Sequence, residues 1–383
     1  MKLFLVAGEA SGDRLGAALM AGLKVLAPGV SFAGVGGPLM QAEGLQSLFP
    51  MDELSVMGIA EILPKYRQLR RRLHQTAEAV LAEAPDALIT IDSPDFCLRV
   101  ARRVRAARPD LRTIHYVAPS VWAWRPGRAA KMAEVIDHVL ALLPFEPPLM
   151  QAAGMTCNFV GHPVVSEPRA AAAEVQAFRV AQGIGAAPLI LVLPGSRRGE
   201  VARLGPVFGA ALERVVAARP EVRVVLPTVA HVAGTVREMA AGWPGAPVVV
   251  EAAADKRAAF AAADVALAAS GTVSLELAAN RVPMVIAYTF NRLTWEIIKR
   301  RALIDTVTLV NLVSDSRVVP EFLGPACRAE AIAPALLRML QDGPERAAEQ
   351  AAMAVTMERL GVGGEAPGLR AARSVLGALG SRA

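Results

Sequence analysis

The chain has 383 residues, a net charge of +6, 54% hydrophobic residues and only 5% aromatics. That length makes two domains with their own cores the expectation and excludes a small disulfide-stapled scaffold, while the few aromatic rings disfavour a base-stacking nucleic-acid surface. The excess positive charge points to an anionic partner, such as a phosphorylated substrate or an acidic membrane, or to a basic surface with no special partner.

The three cysteines, Cys97, Cys157 and Cys327, are far apart and form no C-x-x-C, and the five histidines include no H-E-x-x-H. Neither a disulfide framework nor a metal centre is expected, which fits a reducing cytoplasm. The first apolar run, Leu3–Ala7, is shorter than the ~7–15 residues of a signal-peptide core. No stretch approaches the ~20 apolar residues of a membrane span. A soluble or peripheral protein is expected.

In chain order, the strand pattern LFLVA (3–7) runs into GEASGD (8–13) and an alanine- and leucine-rich helix to about Ala27. GEASGD departs from the dinucleotide fingerprint G-x-G-x-x-G, and the acid expected about 20 residues later is absent, because the chain there reads AGVGG. Glu9 and Asp13 would repel a pyrophosphate but are good acceptors for sugar hydroxyls; alternatively, Asp13 only complements the helix N-terminus.

SFAGV (31–35) is the second strand pattern. The segment 56–73, VMGIAEILPKYRQLRRRL, places Ile62, Leu63, Tyr66 and Leu69 at near-helical spacing with arginines between them. It suits an anionic membrane interface, or a surface helix packed on the core.

ALITI (87–91) leads into IDSPDF. Asp92 ends the strand, where a general base belongs, or it makes a local Asx turn. Ser93 is read as an N-cap, and Pro94 and Asp95 as first-turn residues. After TIHYV (113–117), the segment HYVAPSVWAWRPGR brings Trp122, Trp124 and Arg125 together. That combination suits a phosphorylated sugar, although packing is the commoner fate of a tryptophan pair.

Strand patterns at 138–142 and 158–161 follow, then a proline- and alanine-rich linker with a short helix over 162–188. A second strand–helix array then begins. LPGSRRGEV places Gly195, Ser196 and Arg197 at a strand end, a geometry that attracts anions, or forms a plain turn with surface arginines. After strand patterns at 222–227, 247–250 and 265–269, Ser270, Gly271 and Thr272 open a helix where hydroxyls can cap and N–H groups can meet a diphosphate. Glu276 lies one turn in, suited to a ribose or to the helix dipole. PMVIAY (283–288) is the last strand pattern. No G-x-x-x-x-G-K-[ST] occurs, which disfavours a P-loop NTPase.

Two such arrays in series imply an α/β protein with two Rossmann-like domains facing a cleft, each binding ligand beyond the carboxyl ends of its strands. The boundaries expected are 1–165 and 166–344.

VAGEASGD, GVGGPLMQAEG, VMGIAEIL, IDSPDF, HYVAPSVWAWRPGR, LPFE, FVGHP, LPGSRRGEV and ASGTVSLELA, in that order, resemble the lipid-A-disaccharide synthase family. The resemblance implies the GT-B glycosyltransferase fold, with residues from about 345 to 383 crossing back to the first domain. It implies inverting transfer of 2,3-diacylglucosamine from UDP to 2,3-diacylglucosamine 1-phosphate, giving a β-1,6-linked lipid A disaccharide 1-phosphate and UDP. No metal, other cofactor or nucleic acid is implied, and a homodimer is compatible with it.

Asp92 matches the family's proposed base. Gly195, Ser196, Arg197, Ser270, Gly271, Thr272, Glu276 and Asn311 fall on the nucleotide side. Gly8, Glu9, Ser11, Gly12, Asp13, Trp122, Trp124 and Arg125 fall on the acceptor side. Val310 stands where the family often has proline. The lipid substrates imply a cytoplasmic enzyme, peripheral on the inner face of the inner membrane, with Ile62, Leu63, Tyr66 and Leu69 as candidate contacts. A UDP-sugar epimerase of the same fold and a non-enzymatic sugar-binding protein are the alternatives.

Overall fold

The computed structural model describes residues 1–54 and 59–380, with the backbone alone at 59–64, 292 and 293. It divides into two compact units, Met1–Ser166 with Gly363–Ala383, and Glu167–Val362.

In the first unit β1 (Lys2–Ala7), β2 (Ser31–Val35), β3 (Ala87–Ile91), β4 (Arg112–Tyr116), β5 (His138–Ala141) and β6 (Thr156–Phe159) form one sheet. Its order is β2-β1-β3-β4-β5-β6, and every pairing is parallel. The accompanying helices are α1 (Ala10–Leu26), α2 (Pro38–Ala42), α3 (Ile59–Glu83), α4 (Pro94–Ala107), α5 (Gly127–Ala133) and α6 (Pro147–Ala152).

Parallel strands covered on both faces are largely apolar, which is why Leu3–Ala7 of β1 is an unbroken hydrophobic run and β3 is broken only by Thr90. Successive side chains alternate between the faces. Phe4, Val6 and Leu88 pack with Val80 of α3 and Val100 of α4, whereas Leu3, Leu5 and Ile89 pack with Leu19 and Leu23 of α1. Each buried side chain of this size contributes roughly 1.5–3 kcal/mol.

The second unit repeats the design. Its strands are β7 (Leu189–Leu193), β8 (Arg223–Pro227), β9 (Val248–Val250), β10 (Val265–Ala268), β11 (Met284–Tyr288) and β12 (Glu321–Leu323), in the order β12-β11-β10-β7-β8-β9. The helices are α7 (Ala172–Ala181), α8 (Arg198–Ala218), α9 (Ala230–Ala240), α10 (Ala253–Ala262), α11 (Val273–Ala279), α12 (Arg292–Arg301), α13 (Leu309–Ser314), α14 (Ala329–Met339) and α15 (Pro344–Arg359). Phe208 and Leu212 of α8 and Ile332 and Leu336 of α14 meet Ile190, Leu267 and Val285 on one face of the sheet.

Of the stretch 345–383 expected to cross back, α15 stays with the second unit and α16 (Pro367–Gly380) belongs to the first. The cause is visible in α15 itself. Met353 and Met357 are buried, and the buried Glu349 accepts the Met284 N–H at 2.6 Å, which ties the helix to the start of β11.

α16 packs on α1 through two glycines. A Cβ at Gly22 would lie 2.6 Å from the Gly368 carbonyl oxygen, and one at Gly368 would lie 2.5 Å from that of Ala18. Arg112 donates twice to the Ala378 carbonyl, and the His138 ring meets the Ser374 hydroxyl at 2.8 Å.

Both sheets have one topological switch point. In the first, the chain leaves β1 toward β2 and returns on the other side as β3. In the second, it leaves β7 toward β8 and β9 and returns as β10. Ligands of open α/β sheets bind outside the carboxyl ends of the strands at such points.

Candidate active site

At the first switch point Ala7 is in register with Ile91, so the turns after β1 and β3 lie side by side. Asp92 and Ser93 follow β3 with φ of 52° and 43°, two consecutive non-glycine residues in the left-handed region. Such conformations cost of order 1–3 kcal/mol each and concentrate at functional sites.

The strain is held in place locally. The Asp92 N–H donates to the Tyr116 carbonyl at 2.9 Å, and its Oδ1 accepts the Ser93 N–H at 2.9 Å. Oδ2 accepts the Ser11 hydroxyl at 3.2 Å, joining the two turns. Asp92 is therefore half-buried and orientationally fixed at the ligand-facing edge of the sheet.

Ser93 stands at the N-cap position of α4, as expected, but does not cap it with its side chain. Among the described residues its buried hydroxyl has no hydrogen-bond partner. Gly8 packs directly on it: a Cβ there would lie 2.6 Å from Ser93 Oγ. Pro94 does open α4, and Asp95 is solvent-exposed.

Asp13 is also corrected. It is 3% exposed, and its carboxylate accepts the N–H groups of Gly37, Leu39 and Met40 at 2.9–3.0 Å. The acid of α1 thus caps α2, and its oxygens serve the backbone, not a sugar hydroxyl. Gly12 is buried against Ala7 and the Ile91 carbonyl. Of GEASGD, Ser11 is exposed at the site, and Glu9 is half-buried at the N-cap of α1.

The segment after β4, the strand next to β3, carries the tryptophans. Trp122 is half-buried, edge-on to Phe145 with centroids 5.4 Å apart, and donates Nε1–H to Glu146 at 3.3 Å. Trp124 is 39% exposed, with the Arg125 guanidinium 4.0 Å over its ring. The exposed pair is the surface a sugar could meet, and Trp122 is held apart from it by Phe145 and Glu146.

Glu146 escapes a reading of the sequence. It is buried and also accepts the Leu142 and Leu143 N–H groups, and burial pushes its carboxyl up to about 7. Its only signal is the LPFE motif, which shows nothing of its burial.

At the second switch point Leu193 is in register with Ala268. Gly195 has φ 110°, and a Cβ there would meet Glu200 Oε2 at 2.5 Å, so the turn needs glycine. The Ser196 carbonyl accepts from His231 Nε2 at 2.8 Å. Arg197 is the N-cap residue of α8, its guanidinium exposed and 3.6 Å from Glu200. Glu200, also unforeseen, accepts the Tyr288 hydroxyl at 3.0 Å.

Gly271 and Thr272 are exposed, and Thr272 makes no side-chain cap bond; the Ser274 hydroxyl donates to the Gly271 carbonyl instead. The Ser270 hydroxyl donates to the Val307 carbonyl at 3.4 Å. Glu276 is exposed on α11.

Asn311 is corrected in its role. It is 1% exposed; its amide donates to Thr306 Oγ1 and the Val319 carbonyl, and its carbonyl accepts the Val319 N–H. Together with Glu321, whose Oε1 accepts from Thr306, Val307 and Thr308, it fixes the loop against which Ser270 rests. The Asn311 amide is thus engaged within the fold.

A family model described as lipid-A-disaccharide synthetase matches residues 3–363. The chain belongs to this family. A lipid-A-disaccharide synthase of Ruegeria pomeroyi is 65% identical, covering 98% of this chain and 95% of that one. Another, of Rhodospirillum centenum, is 49% identical over 99% and 95%.

Among solved structures, a UDP-GlcNAc 2-epimerase from Neisseria meningitidis, bound to UDP-GlcNAc, superposes with a TM-score of 0.68 at 11% identity over the whole of both chains. A putative UDP-N-acetylglucosamine 2-epimerase from Listeria monocytogenes gives 0.65 at 16%, covering 100% of this chain and 96% of that one. At such identities the likeness establishes the fold, two Rossmann-like domains of the GT-B type. Family membership makes the chain a glycosyltransferase of lipid A biosynthesis and disfavours the epimerase and binding-protein alternatives.

Of the candidate membrane contacts, Tyr66 is 54% exposed on α3, whereas Leu69 packs against the core. The side chains of Ile62 and Leu63 lie outside the described residues. Arg67, Arg70, Arg71 and Arg72 line a shallow groove of about 750 Å³ on the same helix. Arg72 is engaged by Glu53 through two bonds of 2.6 and 2.7 Å, which hold that carboxyl down at about 2. Among the described residues no helix is long and apolar enough to cross a membrane.

Proposed function

We propose that the chain transfers 2,3-diacylglucosamine from UDP to the 6-hydroxyl of 2,3-diacylglucosamine 1-phosphate, working at the surface of a bilayer that holds both acyl substrates. In this reading the Asp92 carboxylate takes the hydroxyl proton. The oxygen lone pair bonds to the anomeric carbon as the bond to UDP breaks, its electrons leave on the diphosphate, and configuration inverts.

The backbone N–H groups of the 195–197 and 270–272 turns and the Arg197 guanidinium receive the charge that develops on the diphosphate. Glu276 takes the ribose hydroxyls, and Trp124 with Arg125 faces the acceptor sugar phosphate. Tyr66 and the exposed Arg67, Arg70 and Arg71 of α3 meet an anionic headgroup layer on the inner face of the inner membrane.

The observation that carries the reading is the strained, hydrogen-bonded placement of Asp92 at the first switch point. General-base contributions are typically 10²–10⁴-fold. Asp92→Asn should therefore lower kcat by about that factor with an unchanged unfolding midpoint, measured as acceptor-dependent UDP release. Near wild-type turnover in a folded variant would remove the base assignment.

A further inference from the structure

We propose that the segment Ile297–Leu303, the end of α12 and the residues after it, is a second bilayer-contacting surface that engages anionic lipid headgroups, this one in the second unit. It rests on the reading that the substrates are membrane-held.

Ile297 is 48% and Leu303 59% exposed, and Lys299, Arg300 and Arg301 between them are exposed as well. Among the described residues none of these three cations has an ion pair or a side-chain hydrogen bond. Within the segment and its flanks, the acid Glu296 is also exposed, and Asp305 is already held by the Arg317 fork at 2.6 and 3.0 Å. The side of α12 opposite Ile297 is committed to the fold, since Trp295 packs where a Cβ on Gly324 would lie 2.5 Å from its ring.

Last-turn cations are favoured by the helix dipole, which accounts for charge there. It does not account for two large aliphatic side chains in water on the same stretch. Aliphatic groups interleaved with unpaired cations suit the headgroup–acyl boundary, where the apolar groups insert and the long cationic stems reach back to phosphate. A nucleic acid would use the cations and leave Ile297 and Leu303 idle, so charge and apolarity together select an anionic lipid surface.

The test uses the full chain, with vesicles of phosphatidylethanolamine plus phosphatidylglycerol compared with phosphatidylcholine alone. Turnover is followed in parallel with substrates dispersed in detergent micelles. Removing three juxtamembrane cations, in Lys299→Gln/Arg300→Gln/Arg301→Gln, should weaken binding to the anionic vesicles on the order of a hundredfold. Ile297→Ser/Leu303→Ser should weaken it on the order of tenfold or more. Arg300→Lys/Arg301→Lys should keep it, and all three variants should keep micellar turnover, which shows that they fold.

Anionic-vesicle binding left unchanged by either loss-of-function variant would overturn the proposal. So would equal binding to the neutral vesicles, or displacement by a single-stranded RNA with no sensitivity to Ile297 and Leu303. Variant-sensitive vesicle binding by a wild type that releases no UDP would support the lipid surface and overturn the proposed reaction instead.

Discussion

Glu349 gives the second unit a pH dependence that can be worked out from its surroundings. Its carboxyl is fully buried in α15, one oxygen accepts the Met284 N–H, and among the described residues the other has no hydrogen-bond partner. Burial raises its pKa from 4.5 to about 8. The folded state therefore keeps a proton that the unfolded state releases above 4.5, and stability falls as pH rises from 4.5 through about 8. At 1.36 kcal/mol per pKa unit the loss between pH 5 and pH 8 is roughly 3–4 kcal/mol, to order of magnitude.

Glu349→Gln has the shape of the neutral acid, and its carbonyl can still accept from Met284. It should unfold near the wild-type urea midpoint at pH 5 and become progressively more stable than wild type toward pH 8. The assay is urea denaturation at several pH values, followed by circular dichroism and by fluorescence, to which Trp243 and Trp295 of this unit contribute. Parallel pH profiles for the two proteins would refute a buried, protonated Glu349.

Asp13→Asn turns one of the two oxygens that accept from three backbone donors into an NH2 group and should cost about 1–3 kcal/mol of stability with turnover per folded molecule largely kept. Lost turnover at intact stability would place Asp13 on the substrate. Arg197→Ala should lower kcat about 10²–10³-fold at saturating donor, as expected when a group facing developing charge is removed; a change confined to KM would make it a ground-state contact only. Gly368→Ala forces a methyl against the Ala18 carbonyl and should lower stability by about 1–3 kcal/mol, visible in calorimetry; an unchanged melting temperature would mean that α1 and α16 adjust freely.

The strands were legible because strands buried on both faces are largely hydrophobic, and eleven such runs stand out between glycine and proline turns. β12 was not, because Glu321–Leu323 is three residues long and owes its place to pairing with β11. The positions of the turns were equally readable, since each follows a strand.

What the turn side chains do was less readable. Asp13 serves N–H groups 24 to 27 residues downstream, and Asn311 bonds across a loop to Val319. Neither partner is implied by local spacing. Glu146, Glu200 and Glu349 became informative only when tertiary packing removed them from water or set them beside Trp122, Tyr288 and Met284. The return of α16 follows the same rule: its Gly368 meets Gly22 of α1, a pairing that local spacing does not imply.

The two switch points share one architecture and carry opposite chemistry. After β1 and β3, hydroxyl and carboxylate meet: Ser11 donates to Asp92, the backbone there is left-handed, and Glu9 stands at the helix start. An arrangement of acceptors can hold hydroxyls and remove a proton, but would raise the energy of a diphosphate brought beside it. After β7 and β10, exposed glycine-bearing turns open helices, and Arg197 projects into solvent from the first of them. That arrangement of donors lowers the energy of a departing diphosphate and would oppose proton removal. A direct displacement needs a group that accepts a proton from the nucleophile and a group that accepts charge on the leaving group. In the proposed reaction each of these groups is built on its own sheet: Asp92 follows β3 of the first and Arg197 follows β7 of the second.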